Sequence, residues 1–162
     1  MPGNMIVVGM ADLNITKTPG VLTTMGLGSC VGIALYDPIA KVAGLAHIML
    51  PDSKAIHNNA NKAKFADTAM VKLIEDMEKV GAKRRNMKAK IAGGAQMFAF
   101  NATNDNLRVG DRNVEATKRT LAQHNIPLIA EETGASFGRT VELYADDGRF
   151  LIKAIGQRIR IL

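Results

Sequence analysis

The chain has 162 residues, 47% of them hydrophobic and 22% charged, which suits one globular domain over residues 1–162 with a conventional core. A lone cysteine excludes an intrachain disulfide, no apolar run is long enough to span a membrane, and Met1-Pro2-Gly3-Asn4-Met5 lacks the basic start of a secretory signal, so a cytoplasmic protein without membrane insertion is expected. The net charge of +6 allows an acidic partner, but no Trp, two Tyr and five Phe leave few stacking platforms, and no nucleic-acid partner is expected.

The first third reads as β-rich, with strands over Met5 to Met10, Asn14 to Lys17 and Val21 to Met25. The apolar stretches Val31 to Tyr36 and Lys41 to Leu50, separated by Asp37-Pro38-Ile39-Ala40, read as a hairpin. From about Ala60 to Val80 the spacing becomes helical: Phe65, Ala66, Ala69, Met70, Leu73, Ile74, Met77 and Val80 share one face, and Gly81 suits the C-terminal cap. Met87 to Ala92 follows as a strand, broken by Gly93-Gly94-Ala95, where the backbone must bend or approach something closely. After a polar loop at Asn101 to Asn106, Asp111 to His124 is a second helix, which Pro127 keeps from continuing. Leu128 to Glu131 is a strand and Thr133 to Gly138 a loop; Thr140 to Tyr144 and Arg149 to Ala154 form a hairpin across Asp146-Asp147-Gly148. Two helices cannot cover both faces of so much sheet. The expected fold is therefore a layered α/β sandwich of mainly antiparallel strands, strands packing on strands and the helices on an outer face.

The chemistry concentrates around Cys30, which ends the run Thr24-Met25-Gly26-Leu27-Gly28-Ser29-Cys30, seventeen positions before His47. A hairpin turn centred between Pro38 and Ile39 sets Tyr36 opposite Lys41 and Cys30 opposite His47, close enough for a thiol and an imidazole to exchange a proton. A lone Cys is usually a small buried hydrophobe and a lone His usually satisfies a local hydrogen bond. Predicted cross-strand contact, bare backbone amides at Gly26 and Gly28, and a cysteine no disulfide requires together favour catalysis. An imidazole beside the sulfur is expected to lower its pKa and populate thiolate at neutral pH.

Leu27-Gly28-Ser29-Cys30-Val31 followed by Ala46-His47-Ile48-Met49-Leu50-Pro51 resembles the CheD family of chemoreceptor glutamine deamidases. Phe65-Ala66-Asp67-Thr68-Ala69, Ala89 to Phe98 and Gly110-Asp111-Arg112-Asn113 resemble further segments of that family in the same order, while Glu132-Thr133-Gly134-Ala135 departs from its usual Asp-x-Gly-Gly. The resemblance implies the three-layer α/β sandwich shared with the catalytic domain of cytotoxic necrotizing factor toxins. It also implies conversion of receptor Gln to Glu through a Cys30 thioester, with His47 as acid and base and Thr24 orienting the imidazole.

Backbone amides around Ser29 and Cys30 are expected to hold the oxyanion; Gly26 and Gly28 either give access to them or serve only the strand's bend, and Ser29 either adds a hydroxyl donor or caps the turn. Gly93, Gly94 and Phe98 either line the approach or end a strand and fill the core. His57 and His124 read as surface residues. No Cys or His cluster has metal-ligand spacing, so no metal and no cofactor are expected. Implied partners are a methyl-accepting chemotaxis receptor as substrate and a CheC-type phosphatase; Lys83, Arg84, Arg85 and Lys88 would face acidic surfaces on either. The competing readings are an adaptor that docks CheC and receptors with little turnover, and a Cys-His protease or transglutaminase.

Overall fold

A computed structural model describes residues 4–97 and 108–162. In chain order the elements are β1 (Met5–Val7), β2 (Asp12–Lys17), β3 (Val21–Leu27), β4 (Val31–Asp37), β5 (Val42–Ile48), α1 (Ala66–Lys79), β6 (Lys88–Gly93), α2 (Val109–Gln123), β7 (Leu128–Thr133), β8 (Arg139–Tyr144), β9 (Phe150–Lys153) and β10 (Arg160–Ile161). One sheet runs β1-β3-β8-β9-β10 and the other β2-β5-β4-β6-β7. Only β1 with β3 and β6 with β7 pair parallel among these ladders.

The alternation of side chains along the second sheet builds two cores. Val31, Ile33 and Leu35 of β4, with Val42, Ala46 and Ile48 of β5, pack under Met70, Leu73, Ile74 and Met77 of α1 and Ala116 and Leu121 of α2. The other face carries Cys30, Ala34, Ala43 and Leu45 against Leu22, Leu27, Val141, Leu143 and Phe150 of the first sheet. Each fully buried Leu, Ile or Met contributes about 1.5–3 kcal/mol relative to exposure. The result is the expected layered sandwich, helices outside and sheet on sheet, with β5 buried along its whole length.

Several boundaries differ from the sequence reading. The first helix starts at Ala66 and not near Ala60, because Asn61 and Lys62–Lys64 form a capped 3-10 turn ahead of it. The second helix begins at Val109, β7 continues to Thr133, and the short β10 falls in the alternating Arg158-Ile159-Arg160-Ile161 stretch, outside the elements expected from sequence. The loop expected at Asn101 to Asn106 and Phe98 lie outside the described residues.

The hairpin register also differs. Asp37 pairs with Val42 and Gly32 with His47, so Cys30 is not directly opposite His47. The cause is Asp37, whose carboxylate accepts from the backbone N–H groups of Ile39 at 2.8 Å, Ala40 at 3.0 Å and Lys83 at 2.8 Å. That cap, together with Lys41 in the left-handed region at φ 54°, enlarges the turn to residues 38–41. Its centre moves one residue and every cross-strand partner moves two. A two-residue change returns each side chain to its original face, so Cys30 becomes the diagonal neighbour of His47, roughly 7–8 Å away with the β-carbons somewhat closer.

Candidate active site

The site lies between the two sheets, where β3 crosses the end of the β4–β5 hairpin. Thr24 of β3 is fully buried, and its hydroxyl donates to the Val8 carbonyl at 2.6 Å. The same oxygen lies 2.7 Å from Nδ1 of the fully buried His47. A hydroxyl has one proton, and Val8 accepts it. Nδ1 must therefore carry a hydrogen and donate to Thr24, which leaves the lone pair of a neutral imidazole on Nε2. Nε2 has no hydrogen-bond partner among the described residues. Cys30 and His47 are thus not hydrogen-bonded to each other through Nε2.

Cys30 keeps 7% of its surface exposed whereas Thr24 and His47 keep none, so it is the one residue of the three that reaches solvent at all. Burial pushes the Cys30 thiol above its ordinary value, partly opposed by its own backbone N–H. Burial likewise holds the His47 imidazole below its usual range. Both directions favour uncharged groups. These directions run against the thiolate expected from the imidazole's proximity alone.

The loop ahead of Cys30 is tied down on several sides. Thr24 pairs with Val141 of β8, and the ladder then breaks into a bulge before Leu27 pairs with Arg139. Gly26 occupies that bulge at φ 73° with open space around it, so its backbone angle and not a close approach calls for glycine. A β-carbon on Gly28 would make only ordinary contact with the Met97 side chain. The Ser29 carbonyl accepts from Asn113 Nδ2 at 2.9 Å.

Gly93 and Gly94 stand behind the loop that carries Cys30, with the Gly94 N–H donating to the Cys30 carbonyl at 2.8 Å and the Ala95 N–H to the Gly28 carbonyl at 2.8 Å. Gly93 has φ 109°, and a β-carbon there would sit 2.3 Å from the Cys30 carbonyl oxygen. These residues support the loop. His57 is exposed as expected; His124 is half-buried, and burial and Arg84 lower its pKa.

Asn113 had no role assigned by sequence. It is fully buried in the first turns of α2, and its Nδ2 also donates to the Met49 carbonyl at 2.9 Å, two residues beyond His47. The signal that could have found it is a polar residue on the buried face set by Ala116, Thr117, Thr120 and Leu121. Among the described residues no three His, Cys, Asp or Glu side chains are grouped to hold a metal, and no helix is long and apolar enough to cross a membrane.

Residues 49–154 match the family model described as CheD chemotactic sensory transduction. A protein named probable chemoreceptor glutamine deamidase CheD, from Caldanaerobacter subterraneus subsp. tengcongensis, is 55% identical over 162 residues, covering 100% of each chain. Another of that name from Lachnoclostridium phytofermentans is 56% identical over 155 residues, 96% of each chain. The chemoreceptor glutamine deamidase CheD of Halalkalibacterium halodurans is 51% identical over 95% of this chain and 96% of its own. Thr24, Cys30 and His47 precede the segment matched by the family model, and the Caldanaerobacter alignment spans them. The crystal structure of Bacillus licheniformis hypothetical protein YfiH covers 77% of this chain and 51% of its own, at 20% identity and a TM-score of 0.47.

Proposed function

The chain belongs to the CheD family, and from that premise we propose that it deamidates glutamines of chemoreceptors through a thioester on Cys30. The reading rests most heavily on the Val8–Thr24–His47 chain of hydrogen bonds, which fixes the tautomer a general base needs. His47 Nε2 takes the Cys30 proton as sulfur attacks the carboxamide carbon. The tetrahedral oxyanion is held by the Cys30 backbone N–H, which lies beside the sulfur. As the C–N bond breaks, the imidazolium returns its proton to the nitrogen and ammonia leaves. Water, deprotonated by the same Nε2, then attacks the thioester; the C–S bond breaks, Cys30 regains a proton, and the side chain is released as Glu.

Thr24 acts through His47 and is a positioning residue. Its buried hydroxyl holds the ring and donates its own proton away from it. Exposed Met10, Met25 and Met97 come from segments that touch the site: Met10 precedes Ala11, whose N–H bonds the His47 carbonyl; Met25 follows Thr24; and Met97 packs over Gly28. Such a flexible apolar rim suits the surface of a protein substrate. A CheC-type phosphatase as partner belongs to the same reading.

The test is conversion of a receptor cytoplasmic fragment by wild type and Cys30→Ala, followed by mass spectrometry. Wild type should add about 1 Da per modified site and the variant none. Conversion by neither protein, with binding retained, would instead identify a docking module.

A further inference from the structure

Three consecutive carbonyls in the nucleophile loop are each held by a donor. The Gly28 carbonyl accepts from the Ala95 N–H, the Ser29 carbonyl from Asn113 Nδ2, and the Cys30 carbonyl from the Gly94 N–H. The middle donor is the only side chain of the three. A trans peptide unit is planar, with its C=O and the following N–H pointing in opposite directions. Pinning the Ser29 oxygen to Asn113 therefore turns the Cys30 N–H away from α2.

Resting on the thioester reading above, we infer that Asn113 is a positioning residue that sets the Ser29–Cys30 peptide plane and so aims the Cys30 N–H at the oxyanion. Its second bond, to the Met49 carbonyl, anchors the same amide to the chain just beyond His47. Both acceptors are carbonyls, so the amide orientation is fixed: Nδ2 must face them. Its Oδ1 is buried without a partner among the described residues. Half of the side chain's hydrogen-bonding capacity is thus unused while both donors are spent on the segments carrying the nucleophile and base.

The helix is held close enough for this role. A β-carbon on Gly110 would lie 2.5 Å from the Ala95 carbonyl oxygen and 2.6 Å from that of Gly94, so the first turn of α2 sits directly on the segment that donates to residues 28 and 30. Asn113, three residues on, reaches residue 29 from the same turn. Helix, glycine segment and nucleophile loop are stacked in direct contact.

The decisive comparison sets two reactions of Cys30 side by side. Deamidation develops an oxyanion; alkylation by iodoacetamide displaces iodide at a saturated carbon and develops none. Asn113→Ala should lower kcat on a receptor fragment by about 10²–10³-fold, the loss typical of one oxyanion donor, with KM within about threefold. The alkylation rate of Cys30 should stay within about threefold of wild type. Asn113→Leu, which keeps similar bulk and removes both donors, gives the same answer if the alanine variant does not fold.

Leu121→Ala, two turns further along α2 in the helix-side core, controls for general destabilisation and should leave the ratio of the two rates unchanged. The proposal is overturned if kcat survives in the Asn113 variants, or if kcat and alkylation fall together as a merely structural role requires. Failure of the thioester reading would look different: Cys30→Ala would retain deamidation.

Discussion

Replacing Thr24 with Val separates a hydroxyl that orients His47 from one that only satisfies backbone. Valine keeps the shape and β-branching and removes one oxygen, which lies 2.6 Å from the Val8 carbonyl and 2.7 Å from His47 Nδ1 in a fully buried setting. Each buried group left without a partner costs about 1–3 kcal/mol. The two share one oxygen and their costs do not simply add, so about 2–4 kcal/mol is expected in all. For a chain of this size that lowers Tm by roughly 5–15 °C.

The effect on turnover should be larger. Without Thr24 to accept from Nδ1, the ring is free to place its proton on Nε2, where it cannot act as a base, and kcat should fall by roughly 10²–10⁴-fold. Thr24→Ser restores the oxygen and should recover most of that loss. The assay is conversion of a receptor fragment followed by mass spectrometry, at a temperature where both variants are folded. If Thr24→Val remains folded and keeps kcat within about threefold of wild type, the tautomer argument is wrong.

Two further results are expected. Gly93→Ala forces a β-carbon to within 2.3 Å of the Cys30 carbonyl oxygen at a backbone angle L-residues avoid, so it should cost at least ~2 kcal/mol by thermal melting and reduce turnover as well. With burial raising the Cys30 thiol and lowering His47, the alkylation rate of Cys30 should climb steadily from pH 6 to about 9 with no plateau near neutrality; a plateau would reveal a thiolate–imidazolium pair. The same burial makes folding stability pH-dependent. Below about 6.5 the unfolded chain takes up protons that folded His47 and His124 refuse, so stability is full above that pH and declines as pH falls through the window down to their lowered pKa values. His47→Gln combined with His124→Gln should flatten that slope in melts.

What the sequence made legible is what depends on local periodicity. The apolar stripe of α1 is complete in its own fourteen residues, and the glycine-rich approach to Cys30 and the distant His47 are readable as a pair. The hairpin register follows from the Asp37 cap, whose bonds to the Ile39 and Ala40 N–H groups are local but whose third bond, to the Lys83 N–H, comes from 46 positions away and is exposed by no local rule. The face assignment survived because the error was an even number of residues. Asn113 was harder still: its acceptors lie 84 and 64 positions away, so its role exists only once α2 is docked. The expectation of a resting thiolate weighed the imidazole's proximity and could not weigh the burial that pushes the thiol up and the imidazole down.

The central claim is a thioester on Cys30, and hydroxylamine tests it most directly, because it competes with water for an acyl-enzyme. With a receptor fragment and hydroxylamine present, wild type should yield a hydroxamate about 16 Da heavier than Gln at the same side chains that otherwise become Glu, and Cys30→Ala should yield neither product. Formation of Glu by Cys30→Ala, or Glu as the sole wild-type product at every hydroxylamine concentration, would contradict a thioester and point to direct attack by water.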